Sequence, residues 1–472
     1  MNAAAQPSPP HQAAQILPRR IAVLGFARSG RALAEALLDR GVSVAVGDSR
    51  TERDFADLDS FRGRGVRFFL GGPPAEFLAG AEWLAVSPGV PLTSPPVQAA
   101  RDMGIPVLGE VEIAWRIAQA EVAGENRWVA VTGTNGKSTT TSWIAEMLRR
   151  AGRPVALAGN IGVPLSAYLA EKAPRDFVCE MSSFQLEAVD RFRPHVAVLT
   201  NITPDHLDRY PGLPEYAAAK ARLFDRQELG DFAIINADDP ESLAVATRAR
   251  RVLFSRRARP ASGGAWLQDG ELFSDLRGAA RSVLPAERLS LPGAHNVENA
   301  LAAMAAAQCL DVPEASIADA LTQFEGLPHR SQLVVHARGV HWVDDSKGTN
   351  VDATAKSLEG FAPGSVVLIL GGRDKHGDFA ALRPMAAKNA RVVLTIGEAA
   401  EAIAVALAGA VAMERCETME RAVARAASMA RPGDTVLLSP ACASFDQYGN
   451  FEERGRHFAA LARAAARSSD GA

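Results

Sequence analysis

The stretch VAVTGTNGKSTTT, Val129–Thr141, has the residue types and spacing to hold phosphate. Gly133 and Gly136 let backbone N–H groups turn inward around anionic oxygens, with Thr134 and Asn135 between them. Lys137 adds a point charge, and the Ser138 hydroxyl suits Mg²⁺. Thr139 follows at the start of a helix, whose N-terminus contributes positive potential. The spacing is G-x-x-G-K-S, shorter than a standard Walker loop, because Val131 stands where the first glycine belongs. Trp128–Thr132 before it reads as a strand and Ser138–Arg150 after it as an amphipathic helix. An accidental glycine-rich turn does not explain that context. ATP binding does.

Other side chains extend the chemistry. Glu180 ends an apolar strand, Phe177–Glu180, where a carboxylate can reach a cation at the phosphate loop; the alternative is a cap for the Ser-Ser-Phe turn. His206 follows Asp205 after another strand end, and oxygen or imidazole ligands suit Mg²⁺ or Mn²⁺. Lys220 lies on a helix expected over Glu215–Phe224, where a lysine is ordinarily solvated. Asn296 and Asn299 stand one helical turn apart on one face. Arg330 offers a planar fork for phosphate. Near the start, GFARSG joins strand Ile21–Leu24 to helix Ser29–Leu38, but Ala27 replaces the second glycine of a dinucleotide fingerprint. A plain βαβ turn explains that loop about as well.

Elements must position these groups. At 472 residues the chain is too long for one core. Strands alternate with helices, which predicts α/β architecture with mostly parallel sheets. A disordered Pro/Ala/Gln-rich leader is expected over 1–19, a Rossmann-like nucleotide-sugar domain over 20–111 and a central P-loop ATPase-type parallel sheet over 112–328. The central domain also contains Pro260–Leu284, which reads as a small antiparallel sheet. A Rossmann-like C-terminal domain is expected over 329–472. It opens with a hairpin turning at Arg338-Gly339, followed by apolar runs SVVLILGG, RVVLTIG and DTVLLSP. The net charge of −3 offers no global basic field for nucleic acid. No apolar run reaches the ~18 residues that span a bilayer. The four cysteines lack C-x-x-C spacing, which fits a reducing cytosol, and a cytoplasmic monomer is expected.

The loop GTNGKST resembles the phosphate loop of the Mur ligase superfamily, which includes folylpolyglutamate synthase. NIGVP (160–164), EMSSFQLE (180–187), NITPDHLDRY (201–210) and AAKARLF (218–224) are similar to its central domain. GLPHR (326–330), DDSKGTN (344–350), LGGRDK (370–375) and SPACASFDQYGNFEERG (439–455) resemble the branch that adds glutamate to UDP-N-acetylmuramoyl-L-alanine. The resemblance implies ATP-dependent ligation through an acyl phosphate in peptidoglycan precursor synthesis. It makes Lys137, Glu180, His206, Lys220 and Lys347 the catalytic set. It implies two Mg²⁺ sites among Ser138, Glu180, His206 and Lys220, the last as a carbamate, with Mn²⁺ an alternative. Asn296, Asn299, Arg330 and Asp345 would hold the nucleotide. Thr349, Lys375, Ser444, Phe445 and Phe451 would hold glutamate. Arg28, Ser29, Asp48, Ser49, Arg50 and Ser87, with Asn160 and Ser182, would hold the UDP-sugar.

Rival readings are another Mur-type or folate-type amide ligase, a dinucleotide-dependent oxidoreductase suggested by GFARSG, and a non-catalytic P-loop module. D-glutamate is the expected enantiomer. Sequence leaves D against L open, because mirror-image contacts depend on ångström-level placement.

Overall fold

The structure is a computed structural model that describes residues 17–122, 126–291 and 293–468; the expected leader up to residue 16 lies outside them. The chain divides into two compact units, one of Met1–Trp128 and Ala156–Arg193, the other of Val129–Val155 and Pro194–Ala472.

In the first unit, β1 (Arg20–Leu24), β2 (Ser43–Asp48), β3 (Arg67–Leu70), β4 (Trp83–Val86) and β5 (Val107–Gly109) form a sheet in the order β3-β2-β1-β4-β5. Every pairing is parallel. The central strands are near-continuous apolar runs, as expected when both faces of a parallel sheet are covered. Ala22, Leu24, Leu84 and Val86 share a core with Phe77 and Val97. The helix Arg28–Leu38 buries Leu33, Ala34 and Leu37. β6 (Trp128–Thr132) leads into the second unit, and β7 (Val155–Gly159) and β8 (Asp176–Glu180) are neighbouring strands of the first. Trp128 stacks flat on Phe177 with ring centroids 4.1 Å apart.

The second unit continues with β9 (Val196–Leu199), β10 (Phe232–Asn236), β11 (Arg250–Ser255), β12 (Gly264–Gln268), β13 (Glu271–Ser274) and β14 (Arg281–Pro285). Their order is β14-β13-β12-β11-β10-β9-β6. The Pro260–Leu284 region carries the expected small antiparallel strands as an extension of the parallel sheet. Its strand β12 pairs parallel to β11, and only β13 and β14 run antiparallel beyond it. Gly264 permits this: its φ is 141°, and a Cβ there would stand 1.9 Å from the Leu253 carbonyl oxygen.

A second sheet of this unit contains β15 (Gln332–Ala337), β16 (Val340–Asp344), β17 (Val366–Gly371), β18 (Ala390–Ile396), β19 (Ala412–Glu417) and β20 (Thr435–Leu438). The order is β15-β16-β20-β17-β18-β19, with β15 the antiparallel member. The expected hairpin turns at Arg338 (φ 52°) and Gly339 (φ 71°), the paired left-handed conformation of a two-residue turn. One face packs Ile369, Leu394 and Phe458, the other Leu368, Val393 and Leu437.

Candidate active site

The phosphate loop closes β6 and opens the helix Lys137–Arg150. Gly133 has φ 144° and Gly136 φ 82°, and a Cβ on either would stand 1.9 Å from Thr200 Oγ1 or 2.1 Å from Asn299 Oδ1. Only glycine fits. Lys137 Nζ donates to the Gly133 and Thr134 carbonyls at 2.9 and 2.7 Å. Ser138 is buried, and its Oγ accepts from Arg330 Nη2 at 2.7 Å. Thr139 is buried in the first turn. Asn299 Nδ2 donates to Asn296 Oδ1 at 3.2 Å, so the paired amides lie against the loop at Gly136. Asn135 Nδ2 donates to Asp352 at 2.6 Å, and Thr203 Oγ1 reaches the same oxygen at 3.0 Å.

Asp205 forms a second focus. Its Oδ1 accepts from Lys375 Nζ at 2.6 Å and from the His206 N–H at 2.9 Å; its Oδ2 accepts from Asn350 at 2.9 Å. Burial opposes its charge, but Lys375 and His206 hold the carboxyl well below the usual range. Burial pushes the His206 imidazole down to about 4, which leaves a neutral ring at pH 7, able to donate a lone pair. His206 itself is left-handed, with φ 56°.

Lys220 is buried, which removes the ordinary solvated alternative for a helix lysine. Its helix spans Leu213–Ala221, followed by a short tighter turn, and the side chain is 1% exposed. Its Nζ donates to the Gly133 carbonyl at 2.7 Å and lies 4.3 Å from the centre of the Tyr216 ring. The phosphate loop therefore receives two ammonium groups on one carbonyl.

The loops of the second sheet carry the rest. Asp345 accepts from Ser439 Oγ at 2.7 Å, and burial pushes its carboxyl up to about 6. Lys347 Nζ lies 3.9 Å from the centre of the Phe451 ring, and its N–H donates to the His329 carbonyl. The Thr349 N–H donates to the Lys347 carbonyl at 2.8 Å. Ser444 is buried while Phe445 is 62% exposed.

In the first unit, Asp48 at the end of β2 accepts the Phe26 N–H at 2.7 Å and a double contact from Arg50 at 2.9 and 3.0 Å. Ser87 Oγ donates to the Gly25 carbonyl at 2.8 Å. Arg28 Nη2 donates to the Gly162 carbonyl at 2.6 Å. Ser29 is half-buried and Ser49 exposed beside them. Asn160 Nδ2 donates to Glu180 Oε1 at 2.6 Å. The turn after Glu180 is capped by Ser182, whose Oγ accepts from the Gln185 N–H at 3.2 Å. That removes the capping alternative for Glu180.

Sequence reasoning gave no role to Asp205, Asn350, Asp352 or Thr203. Thr203, Asp205 and Asn350 lie inside the family motifs, and a carboxylate next to a histidine was the available signal. The second unit fits a nucleotide, since two glycine-only positions and a lysine surround the loop. Among the described residues no three His, Cys, Asp or Glu side chains converge on a metal position. An ammonium at Lys220, donating to the Gly133 carbonyl, does not fit a dication, while the Ser138 hydroxyl and the His206 ring carry atoms of the kind that do.

Three family models match in chain order: the Mur ligase MurD-like N-terminal domain over residues 19–109, the Mur ligase middle domain over 131–307 and the Mur ligase glutamate ligase domain over 329–442. The chain belongs to the Mur ligase family. It is 43% identical to the UDP-N-acetylmuramoylalanine–D-glutamate ligase of Pelotomaculum thermopropionicum, over 93% of this chain and 96% of that protein. The ligase of the same name from Anaeromyxobacter dehalogenans is 44% identical over 95% and 98%. The fold is shared with the UDP-N-acetylmuramate-alanine ligase MurC of Thermotoga maritima, with TM-score 0.59, 20% identity and coverage of 94% and 99%. The MurF ligase of Thermotoga maritima, solved in complex with ADP, gives TM-score 0.59 at 16% identity over 90% and 96%.

Proposed function

We propose that this chain is an ATP-dependent amide ligase that joins D-glutamate to UDP-N-acetylmuramoyl-L-alanine in peptidoglycan precursor synthesis. The observation that carries this is near-full-length identity of 43–44% to ligases named for that reaction. A carboxylate oxygen of the acceptor attacks the γ-phosphorus, ADP leaves, and an acyl phosphate forms. The glutamate amine then attacks the acyl carbon, and phosphate departs with the electron pair of the broken C–O bond. Such chemistry depends mainly on positioning and charge neutralisation.

Each residue has a part consistent with its surroundings. Gly133 to Thr139 cradle phosphate, and Lys137 turns from the loop carbonyls toward the γ-phosphate. Arg330 supplies a second cation beside Ser138. Asp345 takes the ribose, and Asn296 and Asn299 hold the nucleotide side of the loop. Lys375, Thr349, Ser444, Phe445 and Phe451 receive glutamate, with Lys347 above Phe451. Asp48, Ser49, Arg50, Arg28, Ser29, Ser87 and Ser182 serve the UDP-sugar, and Asn160 orients Glu180. Mg²⁺, in two sites, would neutralise charge between the γ-phosphate and the acceptor carboxylate. Ser138, His206 and a carbamate on Lys220 are the ligands proposed in the second unit, and Glu180 in the first. We assign the enzyme to the cytoplasm as a monomer.

Phosphate release with ATP, Mg²⁺, UDP-N-acetylmuramoyl-L-alanine and each glutamate enantiomer tests the reading. Release that requires all components and D-glutamate is expected. Turnover only with another amino acid would overturn it.

A further inference from the structure

Arg454 enters none of the roles above, yet it is 1% exposed. It sits in the first turn of the closing helix, Phe451–Ser468, and points inward. Its Nε donates to Ser346 Oγ at 3.0 Å, and Nη2 donates to the Ser346 and Cys442 carbonyls at 2.9 and 3.1 Å. Nη1 donates to the Ala443 carbonyl at 3.2 Å. These four acceptors are one hydroxyl and three carbonyl oxygens. Burial pushes the guanidinium down to about 10, so it stays charged at neutral pH.

The bonds join separate loops. Ser346 lies between Asp345 and Lys347, and Ala443 precedes Ser444. Ala443 also exchanges backbone bonds with Arg373, at 2.9 and 3.0 Å, two residues before Lys375. Gly372 shows how closely the third loop is fitted. A Cβ there would stand 2.2 Å from the Ala443 carbonyl oxygen and 3.1 Å from Arg454 Nη1. Ser346 Oγ in turn donates to the Phe451 carbonyl at 2.8 Å. Thus the loops of Lys347 and Thr349 and of Ser444 meet at one guanidinium, and the loop of Lys375 joins them through Ala443.

We infer that Arg454 is a positioning residue of the amino-acid site, its planar fork fixing the spacing of the Ser346 and Cys442–Ala443 loops, with the Lys375 loop held to them through Ala443. This rests on the ligase reading above. The role needs the fork and not only the charge. A lysine keeps the cation but cannot direct bonds to both loops from a fixed plane.

The test compares wild-type enzyme, Arg454→Lys, Arg454→Ala and Ser346→Ala, with KM measured separately for glutamate, ATP and the UDP-sugar. For Arg454→Lys the glutamate KM should rise about tenfold, the loss of roughly one charge-assisted hydrogen bond, while the ATP KM stays within about twofold. Millimolar methylguanidine should lower the glutamate KM of Arg454→Ala. Ser346→Ala, which removes one acceptor of the fork, should raise it about threefold, and it decides the matter if the Arg454 variants do not fold. Unchanged glutamate KM in the folded variants overturns the inference, as does an equal rise for all three substrates without rescue. Wild-type enzyme that fails to use glutamate would instead refute the ligase reading.

Discussion

Two loops of this chain share one plan, a strand ending in glycine, a short turn and a helix, and they do different work. At the phosphate loop both glycines have positive φ and neighbours within 2.1 Å of where a Cβ would be. Two lysines converge on the Gly133 carbonyl. At GFARSG the Phe26 N–H is held by Asp48 at 2.7 Å, and Arg50 pairs with the same carboxylate. The first loop gathers cations around a backbone shaped for an anion. The second fills its own donor with a carboxylate. Topology alone therefore does not assign a ligand; the charge placed at the turn does.

The comparison is broken most severely at Lys137. Lys137→Ala should cut phosphate release by roughly 10²- to 10³-fold, the scale for losing one preorganised stabilising group. The fold should persist, because the bonds Lys137 Nζ makes to the Gly133 and Thr134 carbonyls lie within one loop. Near-normal turnover in a folded variant would make the two loops equivalent and remove ATP from the reading. Lys220→Ala should follow, losing most activity and regaining part of it with a short carboxylic acid, measured as rescue of phosphate release across acid concentrations. Full activity without rescue would leave Lys220 as a buried structural cation.

Effects at the first loop should be smaller and confined to one substrate. Asp48→Asn is expected to raise the UDP-sugar KM by about tenfold, near 1.4 kcal/mol, with the ATP KM unmoved. An ATP effect of equal size would erase the distinction between the loops. The smallest effect is in stability. Asp345 is raised from 3.8 to about 6 by burial, so between those values the folded state keeps a proton that the unfolded state has lost. Stability from this group should be complete below pH 4 and fall as pH rises to 6. Denaturant melts of Asp345→Asn should lack that slope.

Much of this was legible in sequence. Trp83–Val86, Trp128–Thr132 and Phe232–Asn236 are strands with the boundaries their apolar runs suggest. β3, β5 and β19 escaped because edge strands are short or half exposed; in β19, Glu414, Arg415 and Glu417 are charged and only Cys416 is buried. β11 opens with two arginines, which masks its buried half. Composition alone would have left Lys220 solvated, because it reports the average face of a helix, and nothing local shows that Tyr216 and Lys220 turn under a loop 87 residues earlier. The partners of Asp205 were invisible for the same reason. Lys375 lies 170 residues away.

The strand β14 closes one edge of its sheet, and an edge offers unpaired backbone to any passing chain. Here the edge carries its own deterrents. Arg281 begins it, tied to Glu314 at 3.0 Å, and Pro285 ends it without an N–H to donate. A concentrated solution of the enzyme should consequently resist sheet-to-sheet polymerisation along this border. Replacing Arg281 and Pro285 together by valine would convert the border into a template for aggregation while leaving the catalytic loops untouched.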